Sequence, residues 1–258
     1  MIAPALLLPK VVALVDEAAA VVIEYYRGDV AVTEKADASP VTAADEAAER
    51  VLVEGLRGLT PELPVVAEEE RAKGASPEPG TVGELFWLVD PLDGTKEFIK
   101  KNGEFTLNVG LIQASRPILG VVAAPAVDAL WTGAAGHGAS LRQGGEARAI
   151  TARPVPATGP VAMVSRSHGT PEEEEFLAAE GTAERSMAGS SLKFCRIAEG
   201  VADLYPRFGR TMEWDTAAAH AVLEAAGGLV TTRDGAPLGY AKADFANDQG
   251  FIARGRPG

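Results

Sequence analysis

Residues 87–98, which read WLVDPLDGTKEF, restrict the possible folds more than any other segment of this chain. The apolar WLV run predicts a buried strand that ends at Asp90, and Pro91 and the following Asp-Gly pair predict a sharp turn. Asp90 and Asp93 are therefore predicted to converge at a strand end. Such carboxylates suit a hard divalent cation, magnesium above all, and the carbonyl of Leu92 lies between them as a further oxygen ligand.

Gly94 and Thr95 then open a predicted helix, whose first N–H groups would favour a phosphate. The alternative is an ordinary turn in which the side chain of Asp93 caps that helix. Other acidic residues bear on this choice, because the run 68–70 follows the apolar strand PVVA and Asp215 begins a predicted helix. Each alone is typical of a solvated loop or a helix cap, but together they indicate several carboxylates at strand ends and helix starts.

The first half of the chain predicts helices followed by a meandering sheet. Helical spacing of apolar residues covers 9–27 and 42–59, and Thr42 with Asp45 forms a predicted capping box at the second start. Strands are predicted at 64–67, 85–89, 105–112, 118–124 and 128–132, with a hairpin turn at 114–117. Residues 70–83 are predicted as a loop, and 133–145 as turns around a short strand.

The second half predicts an α/β arrangement. Strands at 161–165, 202–206, 228–232 and 250–253 alternate with helices near 171–180, 190–200 and 215–226. We therefore predict an N-terminal α+β half, 1–133, and a C-terminal α/β half, 134–258, packed tightly against each other.

Charge and cysteine content restrict the partners and the location. Lys and Arg number 24 and Asp and Glu 36, a net charge of −12, which argues against nucleic acid and anionic membranes as partners. No apolar run approaches the roughly 20 residues of a membrane span. The single cysteine, Cys195, is predicted to be a buried structural thiol, and no secretory signal pattern begins the chain. These features predict a cytoplasmic protein; peripheral contact with the inner membrane and the oligomeric state are left open.

Three motifs, in this order, resemble the signatures of the inositol monophosphatase superfamily: AEEE at 67–70, DPLDGT at 90–95 and WDTAAAH at 214–220. The resemblance implies a layered αβαβα sandwich of mixed α+β and α/β character, like that of fructose-1,6-bisphosphatase. It also implies a magnesium-dependent phosphomonoesterase with two or three ions per site and inhibition by lithium.

Longer segments resemble the 3'(2'),5'-bisphosphate nucleotidases of the CysQ type within that superfamily. They are SPVTAAD at 39–45, DGTKEFIKKNGEFTLN at 93–108, GSSLKFC at 189–195 and LYPRFG at 204–209. This narrower resemblance implies release of the 3'-phosphate of adenosine 3',5'-bisphosphate in sulfur assimilation, and conversion of 3'-phosphoadenosine 5'-phosphosulfate to adenosine 5'-phosphosulfate.

The resemblance also implies site residues. The implied metal ligands are Glu68, Asp90, the carbonyl of Leu92, Asp93 and Asp215. The implied catalytic residues are Thr95, with Asp45 behind it, and Glu68, which orient the attacking water. The implied substrate-binding residues are Asp93, Gly94 and Thr95 at the transferred phosphate, and His168, Ser190, Lys193, Arg207 and Asp215 toward the nucleotide. Ala67 and Glu70 depart from the family pattern, so the choice of ligand depends on how the strand end is aligned. We take Glu68 as the metal ligand and Glu69 as a residue that supports it without binding the metal. Glu213 has no assigned role.

Two other interpretations are weighed against this one. An inositol or other sugar monophosphatase would share the metal motifs, and Tyr205, Arg207 and the GSSLK segment favour the nucleotide over it. A non-catalytic phosphate-binding protein would be expected to have lost ligands, and none of the implied ligands is missing.

Overall fold

The computed structural model describes residues 3–28, 32–34, 40–166 and 169–257. The helices are α1 (Pro4–Arg27), α2 (Ala43–Leu59), α3 (Glu68–Ala72), α4 (Thr95–Ile99), α5 (Pro171–Ala179), α6 (Leu192–Ala198) and α7 (Ala217–Ala225), with a 3-10 turn at Pro125–Val127. The first strands are β1 (Val32–Glu34), β2 (Pro40–Thr42), β3 (Val65–Ala67), β4 (Leu85–Asp93), β5 (Thr106–Gln113), β6 (Arg116–Ala124) and β7 (Ala129–Ala134). The others are β8 (Gly138–Gln143), β9 (Glu146–Ile150), β10 (Val161–Ser165), β11 (Glu184–Ala188), β12 (Leu204–Arg207), β13 (Leu229–Thr231) and β14 (Phe251–Arg254).

Strands β3 to β9 form a seven-stranded sheet in sequence order, so the predicted meander is confirmed. Its strand pairs are antiparallel except β3 and β4, which run parallel. Strand β9 was not predicted, because four of its five residues are exposed and it carries no apolar run. Helix α3 also lies partly in the predicted loop 70–83, where a run of acidic side chains hides the helical segment.

The second sheet has five strands in the order β11-β10-β12-β14-β13. Its four strands predicted from apolar runs are confirmed, with bounds that differ by a few residues. The edge strand β11 was missed for the same reason as β9, since four of its five residues are exposed.

Three layers of helices enclose the two sheets. Helices α1 and α2 pack on one face of the seven-stranded sheet around Val15, Leu52 and Trp87. Helices α6 and α7 lie between the sheets, in a core that joins residues of both. Helix α5 covers the outer face of the five-stranded sheet through Leu177. The predicted αβαβα sandwich is confirmed.

A row of glycines holds α7 close to the seven-stranded sheet. Gly110 on β5, Gly120 on β6 and Gly133 on β7 lie side by side in the strand register. A Cβ added at Gly120 would lie 2.0 Å from the carbonyl oxygen of Ala218, so no other residue fits without moving the helix. This close contact fixes α7, and with it the turn before α7 that carries Asp215.

The seven-stranded sheet ends at Ile150, and the five-stranded sheet begins with Val161 on β10. The division of the chain into halves at 133/134 stays a prediction. Among the described residues, no helix combines the length and the apolar character that crossing a membrane requires.

Candidate active site

The DPLDGT segment is the irregular end of β4. The strand continues to Asp93, further than predicted, and its pairing with β5 shifts register between Asp90 and Asp93. Asp90 is buried, and its Oδ1 accepts a hydrogen bond of 3.0 Å from the N–H of Leu92. Gly94 has φ +92°, which turns the chain into α4, so the helix predicted to follow this segment is confirmed.

Asp45 joins the start of α2 to the DPLDGT segment. Its Oδ2 accepts hydrogen bonds from the Thr42 N–H (2.8 Å) and hydroxyl (2.6 Å), which confirms the predicted capping box. Its Oδ1 lies 3.2 Å from Thr95 Oγ1, which is also 3.3 Å from the carbonyl oxygen of Leu92. Asp45 therefore caps a helix and contacts the site at once, and burial raises the pKa of its carboxyl.

Four carboxylates interact electrostatically around this point. Burial, with the charge of Glu68 next in importance, raises the pKa of Asp90 well above its usual value. Burial also raises the pKa of Asp93 to about 7, although the ammonium group of Lys193 opposes the rise. For Asp215, burial and then the charge of Asp93 raise the pKa well above the usual range. A bound cation would offset the cost of burying these charges as well as the repulsion between them.

The chemistry of these donors fits a hard divalent metal. They are carboxylate oxygens, with a backbone carbonyl nearby, and such oxygens are the ligands that magnesium takes. Within the described ranges, no three His, Cys, Asp or Glu side chains are arranged to hold an ion as they stand. A metal would therefore have to draw the carboxylates together against their mutual repulsion, which adds to burial in raising the pKa values of Asp90, Asp93 and Asp215.

A cavity of about 270 Å³ opens beside these acids. Its lining includes the following of the predicted site residues: Glu68, Asp93, Gly94, Thr95, Ser190, Lys193, Arg207 and Asp215. Asp45, Asp90 and Leu92 are buried and do not line the cavity. His168 lies outside the described residues.

The cavity lining also includes basic side chains, which we call the basic wall, and the carboxylates Glu68, Asp93 and Asp215, which we call the acidic wall. Lys193 is buried and donates hydrogen bonds to the carbonyls of Ala188 (3.2 Å) and Ser190 (2.6 Å). Burial lowers the pKa of Lys193 to about 8, so its ammonium group is still mostly charged at neutral pH. Ser190, with φ +46°, has a buried hydroxyl with no hydrogen-bond partner among the described residues, and Arg207 also lines the cavity.

Ser191 ties the GSSLK segment to the seven-stranded sheet. Its hydroxyl lies 2.8 Å from Thr106 Oγ1 and donates to Asn108 Oδ1 at 2.7 Å, all three side chains being buried. Thr106 pairs with Asp93 and Asn108 with Asp90 in the β4–β5 register. The basic wall is thus attached to the same strands as the acidic wall.

Three basic residues that line the cavity were not predicted from the sequence: Lys96, Arg166 and Arg210. Arg166 donates to Glu104 at 2.7 and 3.1 Å, and Glu104 also accepts from the N–H of Gly189 (2.9 Å). Lys96 directly follows the DPLDGT segment and Arg166 directly follows β10, and these positions could have predicted that both residues lie at the site. Arg210, in contrast, is distinguished only by the tertiary structure.

The family model of the inositol monophosphatases matches residues 7–255. The 3'(2'),5'-bisphosphate nucleotidase CysQ of Escherichia coli is 46% identical over 247 residues, which cover 95% of this chain and 98% of that protein. Among solved structures, CysQ from Bacteroides thetaiotaomicron superposes with a TM-score of 0.81 at 35% identity, covering 96% of this chain and 97% of the other. An inositol monophosphatase from Anabaena gives a TM-score of 0.76 at 28% identity, with 96% and 89% coverage.

The chain belongs to the inositol monophosphatase family, whose members are generally metal-dependent phosphatases. This membership agrees with the αβαβα layers and with the acidic cluster beside the cavity. Relatives that resemble it at 40% identity or more over most of its length include several bisphosphate nucleotidases named CysQ.

Proposed function

We propose that this chain is a magnesium-dependent 3'(2'),5'-bisphosphate nucleotidase. It removes the 3'-phosphate of adenosine 3',5'-bisphosphate, giving AMP and phosphate, and it acts likewise on 3'-phosphoadenosine 5'-phosphosulfate in sulfur assimilation. One observation supports the proposal: a single cavity is lined both by the carboxylates of the acidic wall and by Lys193 and Arg207 of the basic wall. A substrate with two phosphate groups needs both walls, one for the group that reacts and one for the group that stays.

The metal ligands in this proposal are the acidic wall and the residues behind it. They are Glu68, Asp90, the carbonyl of Leu92, Asp93 and Asp215, which would hold two or three magnesium ions. Magnesium, when bound, would lower the pKa of water and stabilise negative charge on the phosphoryl and leaving oxygens. Four acidic side chains in this set carry enough negative charge to retain such ions beside a substrate that is itself anionic.

Thr95 and Asp45 orient and deprotonate the attacking water. The Thr95 hydroxyl has one proton, which it donates to Asp45 Oδ1 (3.2 Å) or to the carbonyl of Leu92 (3.3 Å). When it donates to Asp45, it passes that proton to the carboxylate as it accepts one from water. Asp45 Oδ2 is already held by Thr42, which fixes the carboxyl group and leaves Oδ1 for Thr95. The raised pKa of Asp45 makes its carboxylate a better proton acceptor than an exposed one.

Water then attacks phosphorus in line with the departing 3'-oxygen. The new P–O bond forms as the bond to the ribose oxygen breaks, and that oxygen takes up a proton from solvent. In the proposal, the N–H groups at 93–95 face the transferred phosphate. Lys193, Ser190 and Arg207 contact the nucleotide and its remaining 5'-phosphate, and the role of His168 stays a prediction from the resemblance.

The test is phosphate release from adenosine 3',5'-bisphosphate with magnesium, compared between the wild-type protein and Asp90→Asn. The wild type is expected to lose activity in EDTA and regain it with added magnesium. Asp90→Asn is expected to lose at least a hundredfold in rate while its circular dichroism spectrum stays that of a folded protein. A wild-type rate in this variant would refute the assignment of the acidic wall.

A further inference from the structure

A buried acid of α2 outside the predicted site contacts the turn that carries Glu68. Glu49 Oε2 accepts a hydrogen bond from the N–H of Glu69 at 2.7 Å, and Oε1 accepts one from the N–H of Glu70 at 2.8 Å. The Glu49 side chain is only 5% exposed. The first N–H groups of a helix have no partner within it, so Glu49 caps α3 from a neighbouring helix.

Glu49 and Asp45 lie one turn apart on α2, which places both side chains on the same helix face. Asp45 reaches Thr95 after β4, and Glu49 reaches the residues that follow Glu68 after β3. Strands β3 and β4 are parallel neighbours, so these two segments emerge at the same edge of the sheet. One rigid helix thus contacts both segments of the acidic wall.

Two ion pairs at the protein surface join α2 to the same turn. Arg57 binds Glu70 through two hydrogen bonds of 3.0 and 2.8 Å, and Glu46 accepts one of 2.6 Å from Lys73. These pairs are exposed or half-buried, and pairs of that kind contribute little to stability. The two hydrogen bonds of Glu49 are buried, so they hold the turn more strongly than the surface pairs do. Burial raises the pKa of Glu49 to about 7, and above this pH both bonds are charge-assisted.

We propose that Glu49 is a positioning residue of the active site: by holding the two N–H groups that follow Glu68, it directs the Glu68 carboxylate toward the metal. The inference rests on the proposed function, in which Glu68 is a metal ligand. A glutamine at position 49 could accept from only one of the two N–H groups, because its amide nitrogen would face the other. The turn would then lose half of its anchor while its packing volume stays the same.

The test measures Mn²⁺ binding by electron paramagnetic resonance in the wild-type protein and in Glu49→Gln, without substrate. Loss of an outer partner that orients a ligand lowers metal affinity about ten- to hundredfold, and we expect that range for Glu49→Gln. At saturating Mn²⁺ its kcat should return to within about twofold of the wild type, because the ligands themselves are intact. Amide hydrogen exchange at Glu69 and Glu70 should also become faster.

Two control variants separate positioning from general destabilisation. Glu46→Gln removes an exposed contact of α2 with the same turn, and Val53→Ala removes buried volume from the same helix. Both are expected to bind Mn²⁺ as the wild type does, although Val53→Ala melts at a lower temperature. An unchanged Mn²⁺ affinity in Glu49→Gln, or an equal loss in Val53→Ala, would overturn the inference.

Glu68→Gln distinguishes failure of the inference from failure of the proposed function. If this variant loses Mn²⁺ affinity and Glu49→Gln does not, Glu68 is a ligand that Glu49 does not position, and only the inference fails. If Glu68→Gln binds Mn²⁺ as the wild type does, Glu68 is not a ligand, and the metal assignment and the inference both fail.

Discussion

Replacing Asp93 with asparagine should stabilise the metal-free protein at alkaline pH. In the folded protein the pKa of Asp93 rises from its ordinary 3.8 to about 7, so the folded state binds this proton more tightly than the unfolded chain does. The stability that goes with the bound proton is complete below pH 3.8 and is lost as the pH rises toward 7. Asparagine does not titrate, and its carbonyl oxygen can still accept the N–H of Ser191 that Asp93 accepts.

The size of the effect follows from the pH range. One pKa unit corresponds to about 1.4 kcal/mol. Between pH 5 and the pKa near 7, the free energy of unfolding of the wild type should therefore fall by about 3 kcal/mol, a loss that Asp93→Asn does not undergo. Because Asp93 lines an open cavity, solvent screens part of this difference, and we expect about 1–3 kcal/mol. Removing the charge of Asp93 also lowers the pKa of Asp215 and Asp90, both of which that charge raises, so the neighbouring acids change the stability difference in the same direction.

The assay is urea unfolding of both proteins in EDTA at pH 5 and pH 8. The free energy of unfolding of Asp93→Asn relative to the wild type should increase between the two pH values. Asp244→Asn, at an exposed carboxylate paired with Arg210, is the control and should show no such increase. If the gap between Asp93→Asn and the wild type is the same at both pH values, or shrinks at pH 8, the electrostatic account of the acidic wall is wrong.

Three further predictions follow from the site and the fold. Thr95→Val removes the hydroxyl that contacts Asp45 and should lower kcat about 10²- to 10⁴-fold with unchanged Mn²⁺ affinity; a kcat near the wild-type value would contradict its role. Raising the pH through about 8 discharges Lys193 and should raise the KM of the wild type for the bisphosphate. Lys193→Met should have a high KM that does not change over this pH range. Identical dependence of KM on pH in the two proteins would exclude Lys193 from the nucleotide side. Gly120→Ala, whose Cβ would clash with the backbone of Ala218, should lower the free energy of unfolding by roughly 1–3 kcal/mol or more, measured by urea denaturation; an unchanged value would refute the close contact of α7.

The sequence predicts the layers of this fold because apolar periodicity survives in the buried elements. Strands β4 to β7 and helix α2 carry runs or stripes of buried apolar residues, and all of them were predicted. Strands β9 and β11 carry mostly exposed side chains and lie at the edges of their sheets, so no burial pattern marks them. The row of Gly110, Gly120 and Gly133 was also missed, because its role depends on which helix crosses the sheet.

The residues of the site could likewise be predicted only where a local sequence pattern marks them. Eight predicted residues line one cavity, and Asp45 proved to be both the cap that its sequence context suggests and a contact of Thr95. Glu49 has no motif of its own, since its role comes from hydrogen bonds to backbone groups about twenty positions away. Glu213 had no assigned role; it is buried and accepts hydrogen bonds from the N–H groups of Ala241 and Lys242, contacts that a linear pattern does not contain.

The central claim is that the acidic wall cleaves a phosphate ester whose second phosphate is held by the basic wall. The most direct test compares kcat/KM for adenosine 3',5'-bisphosphate, 3'-phosphoadenosine 5'-phosphosulfate and inositol 1-phosphate at equal magnesium concentration. We expect a strong preference for the two nucleotides, which Arg207→Ala reduces with little effect on inositol 1-phosphate. Preference for the inositol ester would contradict the account and would make the chain an inositol monophosphatase.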